Sequence, residues 1–173
     1  MKKNNMTLDQ QAVPPSVPVE NSALMHQLEQ DRAAFVGEKY QTYYQQQFQE
    51  MTPKKPYAGF NIAAFIFGVI WLFYRKMYSY AVMAIALIIL IGGIETVLEI
   101  DGFASTIGLS VAFGVFGNTL YKHHVDKQIA KIRQLEKGDL SIELEKCGGT
   151  NVVAGLIPLL IVLGLIGLAI MNS

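Results

Sequence analysis

The chain has 173 residues, of which 51% are hydrophobic and 16% charged, and its formal net charge at pH 7 is zero. This balance argues against nucleic acid as a partner, because nucleic-acid-binding proteins carry an excess of basic residues. The single cysteine, Cys147, cannot form an internal disulfide and cannot build a zinc site alone. We therefore expect no cofactor and no metal.

The first 58 residues contain no apolar run typical of a signal peptide, so we expect the N-terminus to lie in the cytoplasm. Residues 1–20 are polar and hold three of the six prolines, which predicts a disordered tail. Residues 21–58 are expected to form an amphipathic cytoplasmic helical region, with its first helix capped by Asn21 or Ser22.

A second helix in this region, "EKYQTYYQQQFQEM", places Tyr40, Tyr44 and Phe48 one turn apart, opposite a face rich in glutamine. This aromatic stripe is typical of packing against a neighbouring helix. It is also compatible with a helix at the level of the lipid headgroups, where tyrosine side chains are favoured. The sequence leaves both interpretations open.

Three long segments, residues 77–94, 103–121 and 152–171, contain no charged side chain. Each is about long enough to cross a hydrocarbon core of ~30 Å at ~1.5 Å per residue. Helices around the core of a soluble domain would show a polar face, and these do not. They predict three transmembrane helices.

The loops between these segments differ in charge. Residues 95–102 hold three acidic residues and no Lys or Arg, whereas the connector 122–151 holds six basic residues. Basic residues in short loops stay on the cytoplasmic side, so we expect the connector 122–151 to be cytoplasmic and residues 95–102 to lie outside. The protein is then a multi-pass membrane protein whose first partner is the lipid bilayer.

Residues 59–76, here called the signature segment, are apolar but end in Arg75 and Lys76. If the segment crossed the membrane, these two cations would lie on the opposite side from Lys54 and Lys55. The sixteen residues 59–74 that precede these cations also give only ~24 Å of helix. We therefore predict a short membrane-dipping or interfacial helix that begins the membrane domain 59–121. A short tilted fourth span is the alternative.

Small and polar residues share one face of the predicted signature helix, and Ser110, Gly114 and Asn118 form a similar row on the second span. Such rows let helices approach closely. Asn118 is interpreted as a packing residue, with a transport site as the alternative. The predicted signature and packing residues are Asn61, Ala64, Gly68, Trp71, Tyr74, Arg75, Lys76, Gly114 and Asn118.

A basic cluster follows the second span. It is either a solvated helix leaving the membrane or a patch that binds lipid headgroups. The headgroup-binding candidates are Lys122, His123, His124, Lys127, Lys131 and Arg133.

The stretch "FNIAAFIFGVIWLFYRKMY" resembles the signature of the bacterial membrane proteins grouped as domain of unknown function 2628. It departs from that pattern at Ile62, Ile66 and Val69. Val69 replaces the proline usual in the family, which removes one cause of a kink, so a broken helix of the family's kind does not follow from the resemblance. The resemblance implies a location in the bacterial inner membrane and implies no activity.

The chain contains no P-loop, dinucleotide-binding turn, nucleophile elbow or zinc-protease motif. No charged residue lies deep within the three spans, whereas ion-coupled transporters usually show one. We therefore expect an all-α integral membrane protein that is not an enzyme. It would be a scaffold or accessory subunit acting through helix packing, as a homo-oligomer or with a membrane-protein partner. The alternative is a small oligomeric channel or transporter component.

Overall fold

The computed structural model describes residues 19–135 and 138–171, and the regular structure of these residues is helical. The predicted all-α fold is confirmed. The tail expected at residues 1–20 falls mainly outside the described residues. The helices are α1 Val19–Val36, a π-helical turn Tyr40–Tyr44 that continues into α2 Gln45–Glu50, α3 Ile62–Phe67, α4 Val69–Tyr74, α5 Tyr78–Leu98, α6 Phe103–Leu135, α7 Leu140–Cys147 and α8 Val152–Met171.

Three helical stretches are long and apolar enough to cross a membrane, as predicted: Tyr78–Leu98, Phe103–Leu135 and Leu140–Met171. In the third stretch a short turn separates α7 from α8, and α8 is its apolar part. The second is longer than expected, because α6 continues without a break to Leu135. The N-terminal boundary also differs, since Asn21 and Ser22 lie inside α1 rather than at its start.

The signature segment is two short helices, because α3 and α4 meet at Gly68. This glycine has φ 46° and ψ −116°, a backbone conformation that residues with a Cβ atom rarely adopt. The segment is thus broken although Val69 stands in place of the family's proline, because Gly68 interrupts the helix one position earlier. Each piece has six residues, or about 9 Å of helix, and is too short to cross a bilayer.

The two pieces of the signature segment provide the main packing surface for the long helices. α3 lies on α6, while α4 packs against α5 and α8. The contact with α8 is close, since a Cβ atom added to Gly155 would lie 3.2 Å from Tyr74 Cβ. The three long helices are therefore held together largely through the segment between them.

α3 approaches α6 closely at Gly114 and Gly117. The Asn61 amide donates a hydrogen bond to the Gly114 carbonyl oxygen at 2.8 Å. A Cβ atom on Gly117 would lie 2.8 Å from Ala64 Cβ, and Ala64 has no exposed surface. A larger side chain at either glycine would push the signature segment away from α6.

The N-terminal helices pack on the part of α6 beyond residue 121. Tyr40, Tyr44 and Phe48 are buried, and the rings of the last two lie tilted against the Tyr121 ring, with centroids 4.8 and 6.1 Å from it. Of the two interpretations of the aromatic stripe, the structure therefore shows packing against a neighbouring helix.

Replacing Gly117 by alanine is expected to destabilise the protein, because its Cβ atom forces α3 and α6 apart. Overpacking of this kind costs about 1–3 kcal/mol. Gly108→Ala is the matched control, since no atom lies within 4 Å of a Cβ atom at that position of the same helix. Thermal unfolding of the purified protein in detergent should show a lower Tm for Gly117→Ala alone. Equal Tm values for the two variants would contradict the close approach.

Candidate functional site

Arg75 is the central side chain of the site. It follows the last residue of α4, is only 6% exposed, and lies among aromatic rings. Its guanidinium carbon lies 4.8 Å from the Tyr44 ring centroid and 4.9 Å from that of Tyr121. The guanidinium also donates hydrogen bonds to both phenol oxygens, at 2.9 Å to Tyr44 and 3.4 Å to Tyr121. The cation thus joins the π-helical turn, α4 and α6.

This cation has aromatic partners and no carboxylate partner among the described residues, and its buried Nε atom donates to no protein acceptor. Burial raises the pKa of the Tyr44 phenol, and the positive charge of Arg75 offsets part of that rise. Tyr44 therefore remains a neutral phenol at physiological pH. Cation–π contacts compensate part of the cost of burying the guanidinium.

Asn61 and Asn118 form a hydrogen-bonded pair at the contact between α3 and α6. The Asn61 side chain caps α3 by accepting from the Ala64 amide at 2.9 Å, and its Nδ2 donates to Asn118 Oδ1 at 2.9 Å. Asn118 Nδ2 donates to the carbonyl oxygen of Ala58 at 3.1 Å and to the hydroxyl of Tyr43 at 3.2 Å. Asn118 has no exposed surface, so these bonds replace its contacts with water.

Lys76 and Asn151 connect the end of the signature segment to the start of α8. Lys76 Nζ donates to the carbonyl oxygens of Lys146 at 3.2 Å and of Gly148, at the end of α7. The Asn151 amide donates to the Tyr74 carbonyl oxygen at 2.8 Å. Asn151 Oδ1 accepts from the Ala154 amide at 3.0 Å and so caps α8.

The nine predicted signature and packing residues do not form one cluster. Asn61, Ala64, Gly114 and Asn118 lie at the contact between α3 and α6. The others follow the rest of the signature segment: Gly68 at the helix break, buried Trp71 and Arg75 near Tyr121, Tyr74 against α8, and Lys76 at the end of α7.

The headgroup-binding candidates are likewise divided. His123, Lys127 and Lys131 are exposed. The other three contact the protein's own helices: Lys122 Nζ donates to the Phe48 carbonyl oxygen at 2.6 Å, His124 lies between the rings of Phe35 and Tyr80, and Arg133 Nε donates to Asp31 at 2.7 Å.

Several residues of this region were missed by the sequence reasoning. Arg32 donates two hydrogen bonds to Asp126, at 2.7 and 2.8 Å, and joins α1 to α6. Its neighbour Glu29 accepts from Arg32 and from the Tyr40 hydroxyl. Burial alone would raise the pKa of the Glu29 carboxyl. The two hydrogen bonds and the Arg32 charge outweigh this effect and hold that pKa below its usual range. The sequence shows that α1 and α6 carry opposite charges, but no spacing pattern identifies which of these side chains pair.

Within residues 19–135 and 138–171, no group of three or more His, Cys, Asp or Glu side chains is placed to hold a metal ion. The polar side chains of the site instead hold helices together: Arg75 and Asn118 each make contacts to two other elements. What the arrangement offers chemically is a buried cation, phenol groups and amides.

Replacing Asn118 by alanine should lower the free energy of unfolding by about 1–3 kcal/mol, because Asn61 Nδ2 and the Ala58 carbonyl oxygen lose a buried partner. Ser110→Ala is the matched control, since Ser110 is only half-buried two turns earlier on α6. The measurement is thermal unfolding in detergent. A Tm for Asn118→Ala equal to that of Ser110→Ala would show that the amide pair contributes nothing to stability.

Comparison with known proteins supports the resemblance seen in the signature segment. No curated protein and no solved structure matches the chain. Residues 20–127 match a family described as Protein of unknown function (DUF2628), and this match includes α1, the signature segment, α5 and most of α6. It covers more than half of the 173 residues. The chain therefore belongs to the DUF2628 family.

Proposed function

We propose that this protein is a non-enzymatic scaffold or accessory subunit of the bacterial inner membrane that acts through helix packing. The observation that carries the proposal is the attachment of the N-terminal helices to residues 122–135 of α6, here called the extension of α6. It makes them one packed unit with the helices that are able to cross a membrane. A partner held by one part would be held in a defined position relative to the other.

Two charge pairs, one with two parallel hydrogen bonds, support this attachment. The Arg32 side chain is 7% exposed and binds Asp126 through two parallel hydrogen bonds. At the same interface, a terminal guanidinium nitrogen of Arg133 lies 2.6 Å from Asp31 Oδ2. Bidentate and charge-assisted bonds fix orientation as well as distance, so the N-terminal helices have a set position on α6.

The long helices also leave apolar surface available to neighbours. Leu160, Leu163 and Ile170 of α8 are each more than half exposed, and no atom lies within 4 Å of a Cβ atom at Gly164 or Gly167. Lipid covers such a face in a monomer, and another membrane helix can pack on it closely at the glycines. A second copy of the chain or a membrane-protein partner would use this surface.

Cross-linking tests the packing role. In a Cys147→Ser background, Gly164→Cys should form disulfide-linked dimers or a defined adduct with another membrane protein when native membranes are oxidised. Ile107→Cys on α6 is the control, because its side chain is also exposed. The protein reconstituted in proteoliposomes should give no ion flux above that of empty liposomes. Flux without any cross-linked product would contradict the scaffold and favour a channel.

The orientation we propose has the N-terminus, the connector 122–151 and both ends of the signature segment in the cytoplasm, as the positions of the basic residues favour. It places residues 95–102 outside. The signature segment then enters the membrane and returns without crossing it.

Single cysteines test this topology in the Cys147→Ser background. Lys54, Leu98 and Glu145 are all exposed and suit labelling. An impermeant maleimide added to spheroplasts should label Leu98→Cys alone, and permeabilised cells should label all three variants. External labelling of Lys54→Cys would show that the signature segment crosses the membrane.

A further inference from the structure

A cleft of about 510 Å³ lies beside Arg75, between the π-helical turn and the signature segment. Its lining includes Lys39 and Thr42 near the turn, Ile62 and Ala63 of α3, and Trp71 and Arg75. None of the described residues that line it is acidic. The cleft therefore combines cationic and hydroxyl groups with apolar side chains.

Arg75 is the observation that points to a ligand. Its side chain is more than nine-tenths buried, it has no carboxylate partner in the described part of the chain, and its Nε atom donates to no protein acceptor. A buried cation without a counter-ion is costly, and aromatic rings offset only part of that cost. The neighbouring Lys39 adds a second positive charge to the same cleft.

The contrast with Arg32 sharpens this point. Arg32 is equally buried and binds the carboxylates of Asp126 and Glu29. Arg75 instead donates to the neutral phenol groups of Tyr44 and Tyr121. A guanidinium that has no carboxylate partner and lines the same cleft as a lysine is a suitable receptor for phosphate oxygens.

We propose that this cleft binds a phosphate-bearing anion through Lys39 and Arg75. A lipid with an anionic headgroup is the source that the surroundings favour, because Ile62 at the edge of the cleft is 65% exposed on a segment of the membrane domain. The headgroup then lies at Lys39, Thr42 and Arg75 while an acyl chain follows α3. A soluble phosphate ester would use the same cationic groups without the apolar contact.

Trp71 gives a direct measurement, because it is the one tryptophan of the chain and lines the cleft. The full-length protein in neutral detergent is titrated with phosphatidylglycerol carrying brominated acyl chains, and separately with phosphatidylcholine carrying the same chains. Bromine quenches tryptophan fluorescence at short range. We expect half-maximal quenching at an approximately tenfold lower concentration of the anionic lipid.

Lys39→Gln should reduce that preference about fivefold, the effect of removing one cation near the headgroup. Lys39 is exposed, so this variant leaves the packing intact. Arg75→Gln should abolish the preference, and it is interpreted only if its Tm shows a folded protein. Lys127→Gln is the matched control, because Lys127 is an exposed lysine on the extension of α6.

The proposal is overturned if both lipids quench equally in the unaltered protein. It is overturned as well if Lys127→Gln reduces the preference and Lys39→Gln does not, because the anion then binds on α6. The source is identified by adding soluble glycerol phosphate. Recovery of fluorescence shows that the phosphate group alone competes for the cleft, and continued quenching shows that the acyl chains are required.

Discussion

The close approach of α3 to α6 is the contact on which the rest of the structure depends. At Gly114 and Gly117 the two backbones come near enough for Asn61 to bond to a main-chain carbonyl of α6, and its side chain reaches Asn118. With α3 fixed there, the break at Gly68 sets the direction of α4, which in turn contacts α5 and α8. Arg75, immediately after α4, is thereby brought to Tyr44 and Tyr121. One small-residue contact thus determines where three other helices and the buried cation lie.

The sequence predicted the features that depend on local composition. The uncharged segments identified the three long helices, and Gly114 and Asn118, which the sequence placed on one row, lie where α6 meets α3. The signature motif identified the family. Gly117 was not predicted as a packing residue, because it lies beside the row that includes Gly114. A Cβ atom on Gly117 would nevertheless lie only 2.8 Å from Ala64 Cβ. Periodicity indicates which face of a helix packs, but the identity of its neighbour depends on the whole fold.

Long-range partners could not be predicted for the same reason. Arg75 and Tyr44 are 31 positions apart, and Arg32 and Asp126 are 94 apart. No local pattern distinguishes an arginine that will meet a carboxylate from one that will meet phenols. The break at Gly68 was not predicted because the signature segment lacks the family's proline, whereas a glycine with positive φ interrupts a helix equally well. The basic cluster after residue 121 suggested either a solvated helix or a headgroup-binding patch, whereas half of its members contact the N-terminal helices.

The continuity of α6 has a mechanical consequence. Its 33 residues form a single rod of about 50 Å, which exceeds the thickness of a hydrocarbon core. Helices respond to a change in bilayer thickness by altering their inclination to the membrane normal. Because α1 is bonded to this rod at Asp126 through Arg32, a change of inclination in a membrane would move the N-terminal helices together with α6. The position of the N-terminal helices would then depend on the thickness of the surrounding bilayer.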